Sequence, residues 1–228
     1  MLKKIFLLLP LLTILGCDKT DPDNPFDAKF NNKGCLVCAN YSTGESFLLD
    51  GVRYTVADKA MLETAIANRE DLTRYCTSRI GDMSLLHFQS DFNQNIGTWD
   101  VSNVTNMEEM FNTASSFNQN IGSWDVGKVK NMKNMFHNAS AFNQDLGEWN
   151  VSSVTDMEGM FYNTPFNKDI GNWDVSHVTK MSWMFFGTSS FNQDLRGWCV
   201  SNFSSMPGNF ATNSALSFLY YPIWGTCP

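Results

Sequence analysis

Residues 92–116 read FNQNIGTWDVSNVTNMEEMFNTASS, and this stretch decides the fold because four further copies follow it. The copies begin at Phe117, Phe142, Phe166 and Phe191, so the period is 24 or 25 residues. A partial unit precedes the first copy, and the fifth copy is the most divergent. Self-similarity at such a period is the signature of a repeat architecture.

Each unit carries eight large apolar side chains in fixed columns. In the first unit these are Phe92, Ile96, Trp99, Val101, Val104, Met107, Met110 and Phe111. Burying them contributes less free energy than ordering a backbone of this length costs, so one unit cannot fold alone. Stacked units share their apolar faces, and we therefore expect stability only from the array.

Local periodicity predicts two elements in each unit. Trp99 and Val101 alternate with Asp100, which favours a short strand, and Met107, Met110 and Phe111 recur at helical spacing. We therefore predict a repeat solenoid whose short strands stack into a parallel sheet, with one short helical turn per unit. One further column is always Asn, at positions Asn93, Asn118, Asn143, Asn167 and Asn192. We expect this column to form a ladder of side-chain amides that satisfies backbone groups at a buried turn.

The string WDVSNVTNMEEMF at residues 99–111 resembles the repeat of BspA-like leucine-rich-repeat surface lipoproteins of bacteria. The resemblance covers residues 71–228 and implies a leucine-rich-repeat-like solenoid displayed on the bacterial surface. It also implies adhesion, binding of host or matrix proteins, or cell–cell contact. The fifth unit departs from the pattern with Cys199, Phe203 and Asn209, as expected of a terminal unit.

The chain begins with a targeting segment. Lys3 and Lys4 precede an apolar run that ends in Gly16-Cys17, and the run is too short to span a membrane. Residues 1–17 are therefore predicted to be a signal peptide. Its end resembles a bacterial lipobox, which implies that Cys17 carries acyl chains such as palmitate and anchors the protein in the cell envelope, at the outer membrane or cell surface. The alternative is an ordinary signal peptide with a chance cysteine. Residues 18–34 are predicted to be a flexible tether.

Both ends of a stacked array need caps. At residues 35–70 we predict a hairpin that turns at Asp50-Gly51, followed by a helix that Asp58 caps and that runs to about Ala67. The repeats then occupy residues 71–215, and residues 216–228 form a C-terminal cap.

The cysteines lie near these ends. Cys76 and Cys199 hold the same column of the repeat, and an exported chain is in a compartment where disulfides persist. We therefore predict one disulfide between Cys199 and Cys227 and another from Cys76 to either Cys35 or Cys38. A redox or metal role for Cys35 and Cys38 is the alternative, but no partner motif is present.

Composition and spacing argue against chemistry. The net charge of −7 excludes a nucleic-acid binder, which needs clustered Lys and Arg. His87, His137 and His177 fall in different columns, with His87 aligned to the Phe111 column, so we expect no catalytic or metal site and no cofactor. The Met and Trp columns are assigned to the core rather than to copper or sugar binding. We conclude that the protein is not an enzyme.

What remains is an outward strip of polar residues. Its candidate ligand-facing members are Asp100, Asp125, Asn150 and Asp174, and we expect an extracellular protein or glycan to bind there. The alternative is that the strip only keeps the sheet soluble. The predicted function is a surface-displayed binding or adhesion module, expected to be monomeric, and the alternative is a structural spacer lipoprotein without a specific ligand.

Overall fold

A computed structural model describes residues 28–38 and 40–228. The regular elements among them lie almost entirely before the repeats. They are β1 (Lys29–Phe30), β2 (Leu36–Val37), β3 (Ser46–Leu49), β4 (Val52–Val56), helix α1 (Lys59–Ala67) and β5 (Tyr75–Cys76), with 3₁₀ turns at Leu72–Arg74 and Phe218–Tyr220. The predicted signal peptide, the lipidation site at Cys17 and the first part of the tether lie outside the described residues.

The N-terminal cap is built from two small sheets and one helix. Strands β1 and β2 pair antiparallel, and β4 pairs antiparallel with β3 and parallel with β5. The expected turn between β3 and β4 is present, and Asp50 and Gly51 both have the positive φ that such a hairpin needs. Asp58 caps α1 by accepting a hydrogen bond from the Met61 N–H at 2.9 Å. The predicted boundary between tether and cap, at residue 34, falls within the β1–β2 hairpin.

The predicted fold class is wrong. Residues 77–217 contain neither a strand nor a helix, so there is no solenoid built on a stacked parallel sheet and no helical turn in each unit. Successive units meet instead at single-residue parallel bridges, which join Asp82, Asn106, Asn131, Asp156 and Lys180 in that order. The segment expected to be a strand closes a turn, because the Trp99 N–H donates to the Ile96 carbonyl at 3.0 Å.

The physical reason lies in the residues around the methionines. Glu109 and Thr113 have φ values of 55° and 62°, a left-handed conformation that a right-handed helix cannot include. Peptide groups consequently alternate in direction: one closes a local turn, and the next donates its N–H to the following unit. In the first unit the crossing donors are Met107, Glu109, Phe111 and Thr113, whose N–H groups bond to the carbonyls of Asn131, Lys133, Met135 and His137 at 2.8–2.9 Å. We call residues 106–113 and their equivalents the turn segment.

The core consists of columns that run through all units. The column tryptophans are at most 3% exposed, and the paired methionines of the first four units are fully buried, so their predicted inward orientation is confirmed. Phe111, Phe136, Phe161 and Phe185 stack at centroid distances of 5.6–5.8 Å. Each buried indole N–H also needs an acceptor. The indole of Trp149, for example, donates to the Ile121 carbonyl of the preceding unit at 3.1 Å.

The Asn column forms the predicted ladder. Each Asn side-chain oxygen accepts the backbone N–H of the next Asn, as between Asn118 and Asn143 at 3.0 Å. The ladder continues past the last repeat, where the Ser217 N–H donates to Asn192. The predicted burial of this turn is wrong, because these side chains are half-buried or exposed and the turn that they stabilise lies at the surface.

The terminal units deviate from the regular pattern. At the N-terminal end Phe88 stacks on Phe111 at 5.1 Å and His87 is exposed, so the predicted alignment of His87 with the Phe111 column is wrong. At the C-terminal end the fifth unit slips by one residue, since Trp183 donates to Gly208 rather than to the residue before it. Met206 is 49% exposed as a result, although its equivalents in the other units are buried.

Disulfides join the terminal units to their caps. Cys38 bonds to Cys76, and Cys199 bonds to Cys227. The two predicted disulfides are therefore present, and the partner of Cys76 is Cys38 rather than Cys35. Cys35 is a buried free thiol.

Candidate functional site

The predicted ligand strip is not uniformly exposed. Asp100 is only 4% exposed because β2 lies beside it, with the Leu36 N–H donating to the Thr98 carbonyl at 2.7 Å. The expectation of an outward-facing side chain therefore does not hold at Asp100. Asp125, Asn150 and Asp174 are exposed and follow one another in one column.

The exposed members of this strip are engaged in local hydrogen bonds. Each accepts the backbone N–H two residues further on, as Asp174 does from Ser176 at 3.0 Å and Asn150 from Ser152 at 3.2 Å. Hydrogen bonds from Ser176 hold the pKa of the Asp174 carboxyl below its usual range. This is the Asx-turn geometry that Asp and Asn adopt at turns. The column thus stabilises the fold, and its recurrence does not by itself indicate a ligand.

A second surface column, which the sequence analysis did not weigh, is aromatic. His137 stacks on Tyr162 at 4.4 Å, Tyr162 stacks on Phe186 at 4.8 Å, and the planes are within 13° of parallel. Trp183 leans against Phe186 at 5.1 Å and remains 39% exposed. We call these four residues the aromatic ladder. Three of the four occupy the position after a Met-Phe pair, where Asn112 in the first unit is followed by His137, Tyr162 and Phe186. Trp183 instead precedes its Met-Phe pair, in the column of Glu109.

Two ion pairs join the turn segments that carry the aromatic ladder. Lys133 contacts Glu158, and Lys180 contacts Asp156, each at 2.9 Å and each between neighbouring units. The hydrogen bond that the Lys133 ammonium donates to the Glu158 carboxylate raises the pKa of Lys133. Burial lowers the pKa of His137, while Glu109 acts in the opposite direction. The turn segments that carry the ladder therefore contain two ion pairs and also Glu109, whose carboxylate accepts hydrogen bonds from the side-chain amides of Asn112 and Asn134.

The side chains that could support chemistry do not converge. His87 and His177 are exposed and lie in different units from the half-buried His137. In the part of the chain that the structure describes, no three His, Cys, Asp or Glu side chains come together to hold a metal ion. Cys38 is in a disulfide, so Cys35 and Cys38 do not act as a pair, and burial raises the pKa of the Cys35 thiol.

The comparisons with known proteins give one family. The family described as "Mycoplasma protein of unknown function, DUF285" matches residues 57–165 and 147–218. No match was found among the curated proteins or the solved structures. The match is consistent with a bacterial surface protein, and the resemblance to BspA-like leucine-rich-repeat proteins is not confirmed. No helix within residues 28–38 and 40–228 has the length and apolar character needed to cross a membrane.

Proposed function

The chain belongs to this DUF285 family, and on that premise we propose that it is a non-catalytic binding or adhesion module for protein or glycan partners on the bacterial surface. The observation that carries the proposal is the aromatic ladder. Aromatic side chains contribute large contact area and lose few rotatable bonds on binding, which is why they dominate the energetics of interfaces.

The position of the ladder supports this proposal. Its rings come from three consecutive units, so the surface extends along the array rather than forming a single pocket. Trp183 is the most exposed of the four and lies at the end where the regular stacking changes register. We therefore expect Trp183 to be the main anchor of a bound partner.

A binding screen tests the proposal. Purified protein is applied to immobilised matrix proteins and polysaccharides, and the variants W183A and L48A are compared on every partner that binds. Leu48 is also a large exposed apolar residue, at 44%, but it lies in the N-terminal cap and serves as the matched control. We expect W183A to weaken binding at least tenfold and L48A to leave it unchanged. If W183A and L48A weaken binding equally, Trp183 is not the main anchor of the bound partner.

The alternative is a structural spacer without a specific ligand. It is favoured by the Asx turns that Asp125, Asn150 and Asp174 form. Because these turns stabilise the fold, the repetition of the strip is explained without a ligand. Under this alternative no partner in the screen would bind. D125A and D174A would then reduce thermal stability without affecting any interaction.

We further propose that acylation of Cys17 anchors the protein in the cell envelope, at the outer membrane or surface. This part rests on the sequence pattern Leu15-Gly16-Cys17 alone. Labelling of cells with a palmitate analogue should mark the wild type and not C17S, and C17S should be released into the medium. Protease treatment of intact cells should remove the repeats if they face outward, whereas full protection would place them inside the envelope.

A further inference from the structure

An extended segment of the chain already lies across the first part of the polar strip. We call residues 28–38, which contain β1 and β2, the arm. Cys38 of the arm is bonded to Cys76 in the partial unit. Two residues earlier, the Leu36 N–H donates to the Thr98 carbonyl in the first unit at 2.7 Å. The arm therefore passes from one unit to the next within two residues.

The arm covers the strip only at this end. Asp100, beside the arm in the first unit, is 4% exposed. Burial and the charge of Asp100 raise the pKa of the Cys35 thiol, and Asp125 of the second unit adds to this effect, so the arm reaches that unit. Asp125, Asn150 and Asp174 are exposed, so the strip of the second to fourth units remains accessible.

Each of the next three units carries the carbonyl that the arm uses in the first one. The equivalents of Thr98 are Ser123, Glu148 and Asn172, and all three are exposed. Their carbonyls accept no hydrogen bond from the part of the chain that the structure describes. The backbone at each is held as it is at Thr98, because the N–H of the following Trp donates to the residue three positions before it at 3.0–3.1 Å. Three acceptors in equivalent positions therefore remain unpaired.

The spacing of the units suits an extended chain. Equivalent Phe rings of neighbouring units, from Phe92 to Phe191, lie 5.7–6.3 Å apart. Two residues of a strand span about 6.6–6.8 Å, and a twisted strand is shorter. The arm shows this match directly, since two alternate N–H groups, those of Leu36 and Cys38, donate to successive units. An extended segment can therefore present one N–H group to each unit.

The charges of the arm and of the strip are opposite. The arm contains Lys29 and Lys33 and no Asp or Glu. The strip segments beyond it are residues 122–127, 147–152 and 171–176, which contain no Lys or Arg. Their carboxylates, at Asp125, Glu148 and Asp174, take part in no ion pair within the described residues. A basic segment is therefore attracted to this part of the strip.

We propose that the strip of the second to fourth units binds an extended, basic segment of another polypeptide, which continues the path of the arm. N–H groups on alternate residues of that segment donate to the carbonyls of Ser123, Glu148 and Asn172. Its Lys or Arg side chains lie near the three carboxylates. In this mode main-chain bonds give affinity and side chains give specificity. The proposal concerns other columns than the aromatic ladder and does not rest on it.

Two other occupants fit the strip less well. Residues 18–27, DKTDPDNPFD, precede the arm and contain four Asp and one Lys, so the acidic strip would repel them. Their two prolines also lack the N–H groups that the carbonyls need. In a second copy of this chain, the basic arm is held on its own partial unit by the bond between Cys38 and Cys76. A separate basic polypeptide supplies both the donors and the charge.

The test is a nuclear magnetic resonance titration of the purified protein with a synthetic peptide of residues 28–38, AKFNNKGCLVC, in which Ser replaces both cysteines. We expect the carbonyl carbons of Ser123, Glu148 and Asn172 to shift on binding. N-methylation of the peptide at Leu36 and at residue 38 removes the two donors that the arm uses and should weaken binding about tenfold or more. Replacing both peptide lysines by Glu should abolish binding at low salt.

Variants of the protein separate the charge of the strip from its fold. D125N and D174N keep the side-chain oxygen that accepts the N–H two residues further on, as Asn150 does, so the turns should persist. The double variant should bind the peptide about tenfold more weakly at low salt. The matched control is E63Q with D50N, which removes two exposed carboxylates of the N-terminal cap and should leave binding unchanged.

An absence of shifts at the three carbonyls at millimolar peptide would overturn the proposal, and so would equal binding of the N-methylated peptide. Shifts confined to residues 98–100 would also overturn it, because they would show exchange with the arm rather than binding beyond it. A concentration-dependent shift without peptide would identify a second copy as the occupant instead. The variant W183A should bind the peptide normally, so failure of the proposed function and failure of this inference can be told apart.

Discussion

Replacing Trp149 by Phe should destabilise the protein by about 2–3 kcal/mol, because this side chain fills the core and bonds to the preceding unit. Its indole N–H donates to the Ile121 carbonyl at 3.1 Å, and the residue is 3% exposed. The Ile121 carbonyl also accepts the backbone N–H of Trp124 at 3.1 Å. The change therefore removes one hydrogen bond without leaving this carbonyl unpaired. The lost bond accounts for about 1 kcal/mol, and the smaller ring leaves a void worth about 1–2 kcal/mol.

The matched control is Trp183 to Phe. Trp183 is 39% exposed, and its indole N–H makes no hydrogen bond within the described residues, so the expected change is within about 0.5 kcal/mol. Urea unfolding followed by tryptophan fluorescence measures both variants against the wild type. Equal stabilities for the Trp149 and Trp183 variants would refute the reasoning, because it would show that the indole column does not bind the units together.

Three further changes test other parts of the structure. Asn143 to Ala should cost about 1–2 kcal/mol in thermal unfolding because the Asn167 N–H loses its acceptor at 3.0 Å, whereas Asn143 to Asp keeps the oxygen and should recover most of the loss. Cys227 to Ser should cost about 3–4 kcal/mol through the disulfide with Cys199, and non-reducing peptide maps of the wild type should show that pair. Burial lowers the pKa of His137, so its contribution to stability should be present above pH 6.5 and should decline as the pH falls below it. The variant H137Y should lack that part of the pH dependence. If the stability of H137Y depends on pH as that of the wild type does, His137 is not its source.

The repeat period and the inward columns could be predicted from the sequence. Large apolar side chains that recur in register have to be buried, and the Trp, Met and Phe columns are. The ladder that includes Asn118 and Asn143 could be predicted for a related reason. A polar side chain that recurs at a turn is expected to bond to a backbone group there.

The conformation between the columns could not be predicted from residue spacing alone. A helical turn and the observed turn segment place side chains at nearly the same intervals, and they differ in the sign of φ at two positions of each unit. In the four complete inner units these positions are Glu109, Thr113, Asn134, Asn138, Gly159, Asn163, Trp183 and Gly187. Five of these eight residues are Asn or Gly, which favour left-handed conformations and were the available signal.

The candidate site was only partly predictable. Asp100 shares its column with Asp125 and Asp174, and nothing local indicates that β2 covers it through a contact of the Leu36 N–H with the Thr98 carbonyl. The aromatic ladder arises at two columns whose residue type varies, from Asn112 to Phe186 and from Glu109 to Trp183, so constant positions do not indicate it. The positions that vary between the units of a repeat array are those expected to determine binding specificity.

Residue-resolved hydrogen exchange of the backbone amides tests the direction and alternation of the bonds between units most directly. The structure predicts strong protection at Met132, Asn134, Phe136 and Asn138, which donate to the following unit, and weak protection at Lys133, whose N–H reaches only the Asn131 side chain. Glu108 and Glu158, whose N–H groups likewise reach only a side chain, should be weakly protected between strongly protected neighbours, and the protection of the crossing donors should stop at Asn209. Uniform protection through residues 131–138, as a continuous strand or helix would give, would contradict the account.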